Sequence, residues 1–332
     1  MTDTPAAPRI VFFEPNSKDA RRDLTLDEVN RIIAERRGHL WVDVDLSVPA
    51  QADFLAKIQN LHPLAIEDAT ARNSRPKLEE YPEFLFMIVV GVRFHEGTPD
   101  PYDLETYDLS FFLGANWAVT VHDGPSQPVD DVASRVEKKP ELLERGSDRL
   151  VHAIMDASVD AYFPLLDKLD EFVDNLEQRV IVDFDRSALK EIFAVKRLVL
   201  ALRRHVAPER EVFSILTNRP SALLSPESQT YFRDVYDHVL RINDSLDSYR
   251  DLLSSVLDSY LTQVSNRLGT ITKGLSVIAT MSIPFVVISG MWGMNVEYIP
   301  LQHHAHAFWW MFAIQFGLGL LLLLILRFWK LL

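Results

Sequence analysis

No cysteine occurs in the 332 residues. Disulfides, thiolate metal sites and cysteine-based catalysis are therefore excluded, and the chain suits a reducing compartment. Catalytic signatures are missing too: there is no Gly-x-Ser-x-Gly elbow and no His-Glu-x-x-His pair. His205 follows Arg203 and Arg204 among basic residues. With no catalytic constellation, an enzyme is not expected. No Walker-type Gly-rich loop appears, so no nucleotide is expected as a partner. Positive charge is scarce. Lys and Arg number 34 against 47 Asp and Glu, a formal charge of −13. Such a balance disfavours a nucleic-acid partner. It suits attraction of cations, as it also suits solubility. The opening residues, MTDTPAAPRI, lack a basic region followed by an apolar stretch and do not read as a secretory signal.

What the chain does contain is unevenly spread. It is longer than one compact core usually holds, so two soluble subdomains plus a membrane part are expected. Mean hydropathy is near zero, but the C-terminal end holds almost all the uninterrupted apolar sequence. One run is Leu275–Met294 and a second is Ala307–Trp329. Each matches the roughly 20 residues that cross hydrocarbon as a helix. The first contains Ser276, Thr280, Ser282, Pro284 and Ser289. Such residues survive in a span when neighbours or water satisfy them, which makes the first run inner and the second lipid-facing. The competing reading is two buried core helices; it is disfavoured because nothing remains after them to cover them.

Charge sets the expected topology. Arg267 and Lys273 precede the first run, Arg327 and Lys330 end the second, and Asn295–His306 between them has no Lys or Arg and one acid, Glu297. The positive-inside rule then puts both termini in the cytoplasm. Trp309 and Trp310 fit an outer aromatic belt and Trp329 an inner one.

Ahead of the spans, strand patterns fall at Ile10–Phe13, Leu40–Val44, Phe84–Phe94, Tyr107–Leu113 and Trp117–His122. Gly114-Ala115-Asn116 joins the last two as a hairpin turn. A helix begins after Thr25, with Glu28 completing a capping box and Gly38 just past its end. Pro63–Ala69 reads as a short helix. From residue 148 the pattern is helical. Leu165, Leu166, Leu169, Phe172, Val173, Leu176 and Val180 form one stripe, and Ile192, Val195, Val199 and Val206 a second. Arg219-Pro220 breaks the pattern. Ser225-Pro226 starts a helix with no convincing stop before the first span ends. At about 60 residues it would be roughly 90 Å long.

The expected fold is therefore α+β with a membrane part. An α/β cytoplasmic subdomain covers residues 1–147 and a long, coiled-coil-like helical stalk covers 148–265. The pore-side end of the long helix with the first span covers 266–294, an outer loop 295–306, and the second span with a cytoplasmic C-terminus 307–332.

Gly293-Met294-Asn295 stands at the outer end of the first span. In that position the tripeptide resembles the signature of the CorA family of two-transmembrane magnesium and cobalt transporters. The run His62-Pro63-Leu64-Ala65-Ile66-Glu67-Asp68, then Arg75-Pro76-Lys77, resembles the family's N-terminal segment. Tyr231-Phe232-Arg233-Asp234-Val235-Tyr236-Asp237 resembles its long-helix segment. Ser265-Asn266 and Ile278-Ala279-Thr280 match around the membrane entry. The resemblance implies a funnel-shaped homopentamer in the cell (inner or plasma) membrane. The first span would line a pore for inward Mg²⁺, and also Co²⁺, with cytoplasmic Mg²⁺ closing it. This chain departs from the family pattern at Ile299-Pro300-Leu301, where a Glu is common, at Val286 for Thr, and at Gly269 for Asn. Ion preference and gating are where these departures bear.

The residue types suit that chemistry. A subunit with two spans cannot enclose a pore alone, so self-association with cyclic symmetry is expected. Asn295 then gives a ring of neutral amide oxygens. Mg²⁺ dehydrates reluctantly, and amides accept hydrogen bonds from its water shell without holding it too tightly to leave. Gly293 lets the backbone turn, and Met294 packs rather than binding a hard cation. Thr272, Leu275, Ala279, Ile283, Val286 and Gly290 share one small or apolar face of the helix. Periodicity alone leaves that face even between pore wall and helix packing; the resemblance favours pore wall, with Leu275 and Ile283 as a dewetting constriction.

Asp234 and Asp237 lie three apart on one helix face. A solvated acidic face is the plain reading. The resemblance assigns regulatory Mg²⁺ to Asp234 with Asp237 close by, and Glu96 is the expected partner. His303, His304 and His306 suit Zn²⁺, Co²⁺ or Ni²⁺ better than Mg²⁺; an interfacial polar loop is the simpler reading, as for Glu297. Two alternatives stay open. One is the related zinc-transporting branch, and the other a membrane-anchored metal sensor that does not conduct.

Overall fold

The computed structural model describes residues 7–14, 17, 20–72, 74–94, 104–139, 141–181, 185, 187–295, 297, 299–301 and 303–329. The chain divides into two units, Met1–Arg179 with Asp185–Val256, and Val180–Phe184 with Leu257–Leu332.

The first unit is built on a six-stranded sheet. Its strands are β1 (Arg9–Phe13), β2 (His39–Asp45), β3 (Lys77–Glu80), β4 (Phe84–Phe94), β5 (Leu104–Gly114) and β6 (Trp117–His122). The order is β1-β2-β6-β5-β4-β3, and β2 with β6 is the parallel pair in an otherwise antiparallel sheet. β4 reads FLFMIVVGVRF, apolar without alternation because both faces are covered. Leu40, Val42, Phe84, Phe86, Ile88, Phe112 and Val119 share a core with α1 (Leu26–Glu35), α2 (Pro49–Leu55) and α3 (Pro63–Thr70). On the strands the intervening residues, Trp41, Met87 and Phe111, are also buried. α6 (Ser147–Asp160) packs against β2, β4, β5 and β6, with α4 (Gln127–Lys138) and α5 (Glu141–Glu144) beside it.

The capping box of α1 is present. Glu28 N–H donates to Thr25 Oγ1 at 3.4 Å and Thr25 N–H to Glu28 Oε2 at 2.9 Å. The left-handed exit falls at Arg36, with φ 51°, ahead of Gly38 at 62°. Gly38 is required there, because a Cβ would lie 2.6 Å from both the Phe12 ring and the Phe13 carbonyl. β3, α2, α4 and α5 carry no pattern that the sequence reading picked out. β3 is only KLEE, with no apolar alternation beyond Leu78.

The helical part of this unit follows a coiled-coil rhythm. α7 (Phe163–Ile181) and α8 (Ala188–Asn218) precede α9 (Pro226–Trp292), whose 67 residues exceed the expected length slightly. Ser225 caps α9 by accepting from Ser228 N–H at 3.1 Å. Phe232, Val235, Val239, Ile242, Leu246, Tyr249, Leu253 and Val256 are buried along it, at alternating steps of three and four. Tyr249 Oη donates to the Leu166 carbonyl at 3.1 Å, and Arg203 pairs with Asp247 at 2.6 Å, which ties α9 to α7 and α8. Arg179 joins Asp185 and Glu191 at the α7–α8 turn.

Where β3 stops at Lys77, the buried edge of β4 loses its strand partner and needs others. Val90 N–H donates to Glu209 of α8 at 2.7 Å, and Val90 C=O accepts from Tyr162 Oη at 2.8 Å. Glu209 is 1% exposed. Burial pushes its pKa up to about 8, against a single opposing hydrogen bond from Val90. A raised carboxyl pKa stabilises the fold below the unfolded value of about 4.3. That contribution is lost as pH rises toward 8. Glu209→Gln is therefore expected to flatten the fall in stability between about pH 5 and 8. At pH 8 the variant should be the more stable protein, which thermal unfolding across pH will measure.

The second unit holds the C-terminal part of α9 and α10 (Ala307–Phe328). Both helices contain windows long and apolar enough to cross a membrane. Within α10 only Gln315 and Gly319 are buried in the protomer.

Candidate functional site

The last turn of α9 closes on Gly293, whose N–H donates to Ser289 C=O at 3.0 Å and to Gly290 C=O at 3.2 Å. Met294 N–H reaches Met291 C=O at 3.4 Å. Met294 and Asn295 are exposed in the protomer. Thr272, Leu275, Ala279, Ile283, Val286 and Gly290 are all exposed along α9, with Val286 at 69%. α10 packs instead on Phe285 and Ser289. Those residues lie about 100° around the helix from Val286 and Gly290. The face expected to line a pore is thus left bare by the chain's own second span, and so is most of the span surface.

Beyond Asn295, Glu297, His303, His304 and His306 are exposed. His306 occupies the N-cap of α10 without a side-chain cap bond. The three histidines do not converge into a shared ligand group among the described residues.

In the first unit, Asp234 and Asp237 are both exposed on α9. Glu96 lies outside the described residues. The group with ligand geometry is a different one. Asp156 and Asp160 of α6 and His238 of α9 bring one ligand atom each within 4.8 Å of one another. His238 Nδ1 lies 3.1 Å from Asp160. Asp234 is one turn from His238 and acts electrostatically on Asp156. Asp237 is not part of the group. Burial, then the neighbouring Asp160 and Asp234 charges, raise the pKa of Asp156, while His238 opposes the shift. Nearby His152 is driven down to about 4 by burial, with Arg149 adding to it. Two carboxylates and an imidazole suit a divalent cation of intermediate softness, such as Co²⁺.

The family segment points to Asp234 in the sequence, whereas no motif there singles out Asp156, Asp160 and His238. Their signal was the pairing of two i,i+4 couples, Asp156 with Asp160 and Asp234 with His238. Nothing in the sequence said that α6 and α9 meet.

An α/β domain, a long helix that continues into an apolar stretch, and a second apolar helix after a short loop define a two-span membrane protein with a large domain outside the bilayer. Residues 36–327 match the family model described as CorA-like Mg²⁺ transporter protein. The chain belongs to this family of membrane ion transporters. It is 30% identical to the cobalt/magnesium transport protein CorA of Thermotoga maritima, over 84% of each chain. It is 30% identical to the putative metal ion transporter YfjQ of Bacillus subtilis, over 81% of this chain and 82% of the relative. The fold matches the complete CorA magnesium transporter structure from Methanocaldococcus jannaschii with a TM-score of 0.83, at 20% identity and 98% coverage of both chains.

Removing His238 deletes one corner of the α6–α9 group. His238→Ala is expected to weaken Co²⁺ binding by at least about tenfold, the scale on which even supporting groups act at metal sites. Isothermal titration of the whole protein in detergent will measure it.

Proposed function

We propose that the chain is one subunit of a homopentameric channel in the cell membrane, with both termini cytoplasmic, that admits Mg²⁺ and also Co²⁺. The observation that carries this reading is Gly293-Met294-Asn295 at the end of α9, in a chain of the CorA-like Mg²⁺ transporter family. Asn295 supplies a ring of amide oxygens that bind a hydrated ion weakly enough to release it. Below it, the face from Gly290 to Thr272 carries the ion with its water. The bare state of that face in the protomer supports the reading, since a pore wall must stay open to the ion and its water. Entry needs no nucleotide: a divalent ion gains about 4.6 kcal/mol per 100 mV, twice the value for one charge.

Regulation is proposed at the α6–α9 group. Asp156, Asp160 and Asp234 concentrate negative charge beside His238, and a bound cation neutralises it. When cytoplasmic Mg²⁺ is low, carboxylate repulsion returns and favours the conducting state. Asp237 extends the patch along the exposed face of α9.

Purified protein in liposomes should show Mg²⁺ uptake under a gradient, and Asn295→Ala should abolish it. A sealed bilayer under a large gradient would favour the non-conducting sensor. Uptake of Zn²⁺ in preference to Mg²⁺ would favour the zinc-transporting branch. Asp234→Ala should leave uptake active at high internal Mg²⁺, and inhibition identical to the parent would remove the regulatory role.

A further inference from the structure

Between Ala307 and Leu326, Gln315 is the only charged, amide or hydroxyl side chain. An amide in a lipid-facing span is costly unless it is paired. Gln315 is 6% exposed and is one of two buried residues in α10. Its Nε2 donates to Ser289 Oγ at 2.8 Å, with a longer approach of 3.4 Å to the Phe285 carbonyl. One turn away, Gly319 lies against the Phe285 ring, which a Cβ there would meet at 3.4 Å. Phe285 faces Gly319 and Ser289 faces Gln315, so the partners step by four in opposite directions along antiparallel helices. The register is therefore pinned by one close approach and one hydrogen bond.

Ser289 has a second duty. Its carbonyl accepts the Gly293 N–H at 3.0 Å, the bond that closes the last turn of α9. Gln315 thus holds the residue from which Gly293-Met294-Asn295 hangs. Generic glue between spans could be placed at any depth; this bond is placed one turn before the tripeptide.

We infer that Gln315 is a positioning residue, which through Ser289 sets the placement of Asn295. In its consequence for transport the inference rests on the channel reading; in its structural content it does not. A span pair joined only by apolar contacts would tolerate loss of the amide, whereas this one should lose the placement of the turn.

The absence of cysteine makes the test direct. Asn295→Cys introduces a single thiol into the full-length protein reconstituted in liposomes. Its rate of modification by a membrane-impermeant maleimide reports the placement of the turn. Adding Gln315→Leu should change that rate by about threefold or more, the scale of one interhelical hydrogen bond in a bilayer. Ser289→Ala should do the same, and the two together should do no more than either. A thiol placed by His304→Cys, on the loop, should react at an unchanged rate. If Gln315→Leu does not assemble, Gln315→Asn, one methylene short of Ser289, replaces it. An unchanged rate at position 295, equal changes at 295 and 304, or effects that multiply would each overturn the inference. In the transporting parent, with Asn295 intact, Gln315→Leu should raise the half-saturating Mg²⁺ concentration while the maximal rate stays within about twofold. If the parent carries no divalent flux, the channel reading fails and the thiol rates alone decide the brace.

Discussion

The buried stripe of α9 from Phe232 to Val256 is the constraint on which the arrangement of the helices depends. Alternating steps of three and four fix one face of the helix toward α7 and α8. Tyr249 and Asp247 then pin its rotation through Leu166 and Arg203. Once that rotation is set within the first unit, so is the direction of Asp234 and His238 toward α6. The same side-chain pattern does not continue into the apolar stretch. There the apolar residues go all round the helix, as a span in hydrocarbon requires. One helix therefore obeys two burial rules in succession, and the change of rule is where the soluble reading of the chain gives way to the membrane one.

Much of this was legible in the residues. Strands with dense β-branched and aromatic residues, such as Phe84–Phe94 and Trp117–His122, coincide with β4 and β6 to the residue. The Thr25–Glu28 box and Ser225-Pro226 marked helix starts because their chemistry is local. β3 was not legible, since Lys77–Glu80 is four residues long, three of them charged, and shows no strand pattern of its own. Nor was the role of Glu209. In sequence it is one acid among many on a helix, and only the end of β3 makes a demand that it meets at Val90.

The candidate sites divide in the same way. Gly293-Met294-Asn295 is contiguous and sits at the end of a span, so its place along the chain was enough to single it out. The group of Asp156, Asp160 and His238 requires two helices separated by more than seventy residues to come together, as the 78-residue separation of His238 from Asp160 shows. Spacing within each helix hinted at a shared face, but the meeting of the faces is a tertiary fact. Gln315 was hidden for another reason. The second span reads as lipid-facing, and an isolated amide in such a run has meaning only once its partner is known.

The two borders of the sheet have a consequence for how copies of the chain can meet. On one side, β1 is bridged by Arg21 to Phe12, with N–H and C=O exchanged at 2.9 and 2.8 Å. On the other, β3 is four residues of alternating use, three of them charged, with Pro76 before it and Glu209 with Tyr162 closing β4 beyond it. Among the described residues, one border is interrupted by that bridge and the other is short and charged, both features that make a strand edge a poor template for a second chain. Self-association by strand addition is thereby disfavoured, and the sheet keeps its pairing within one chain.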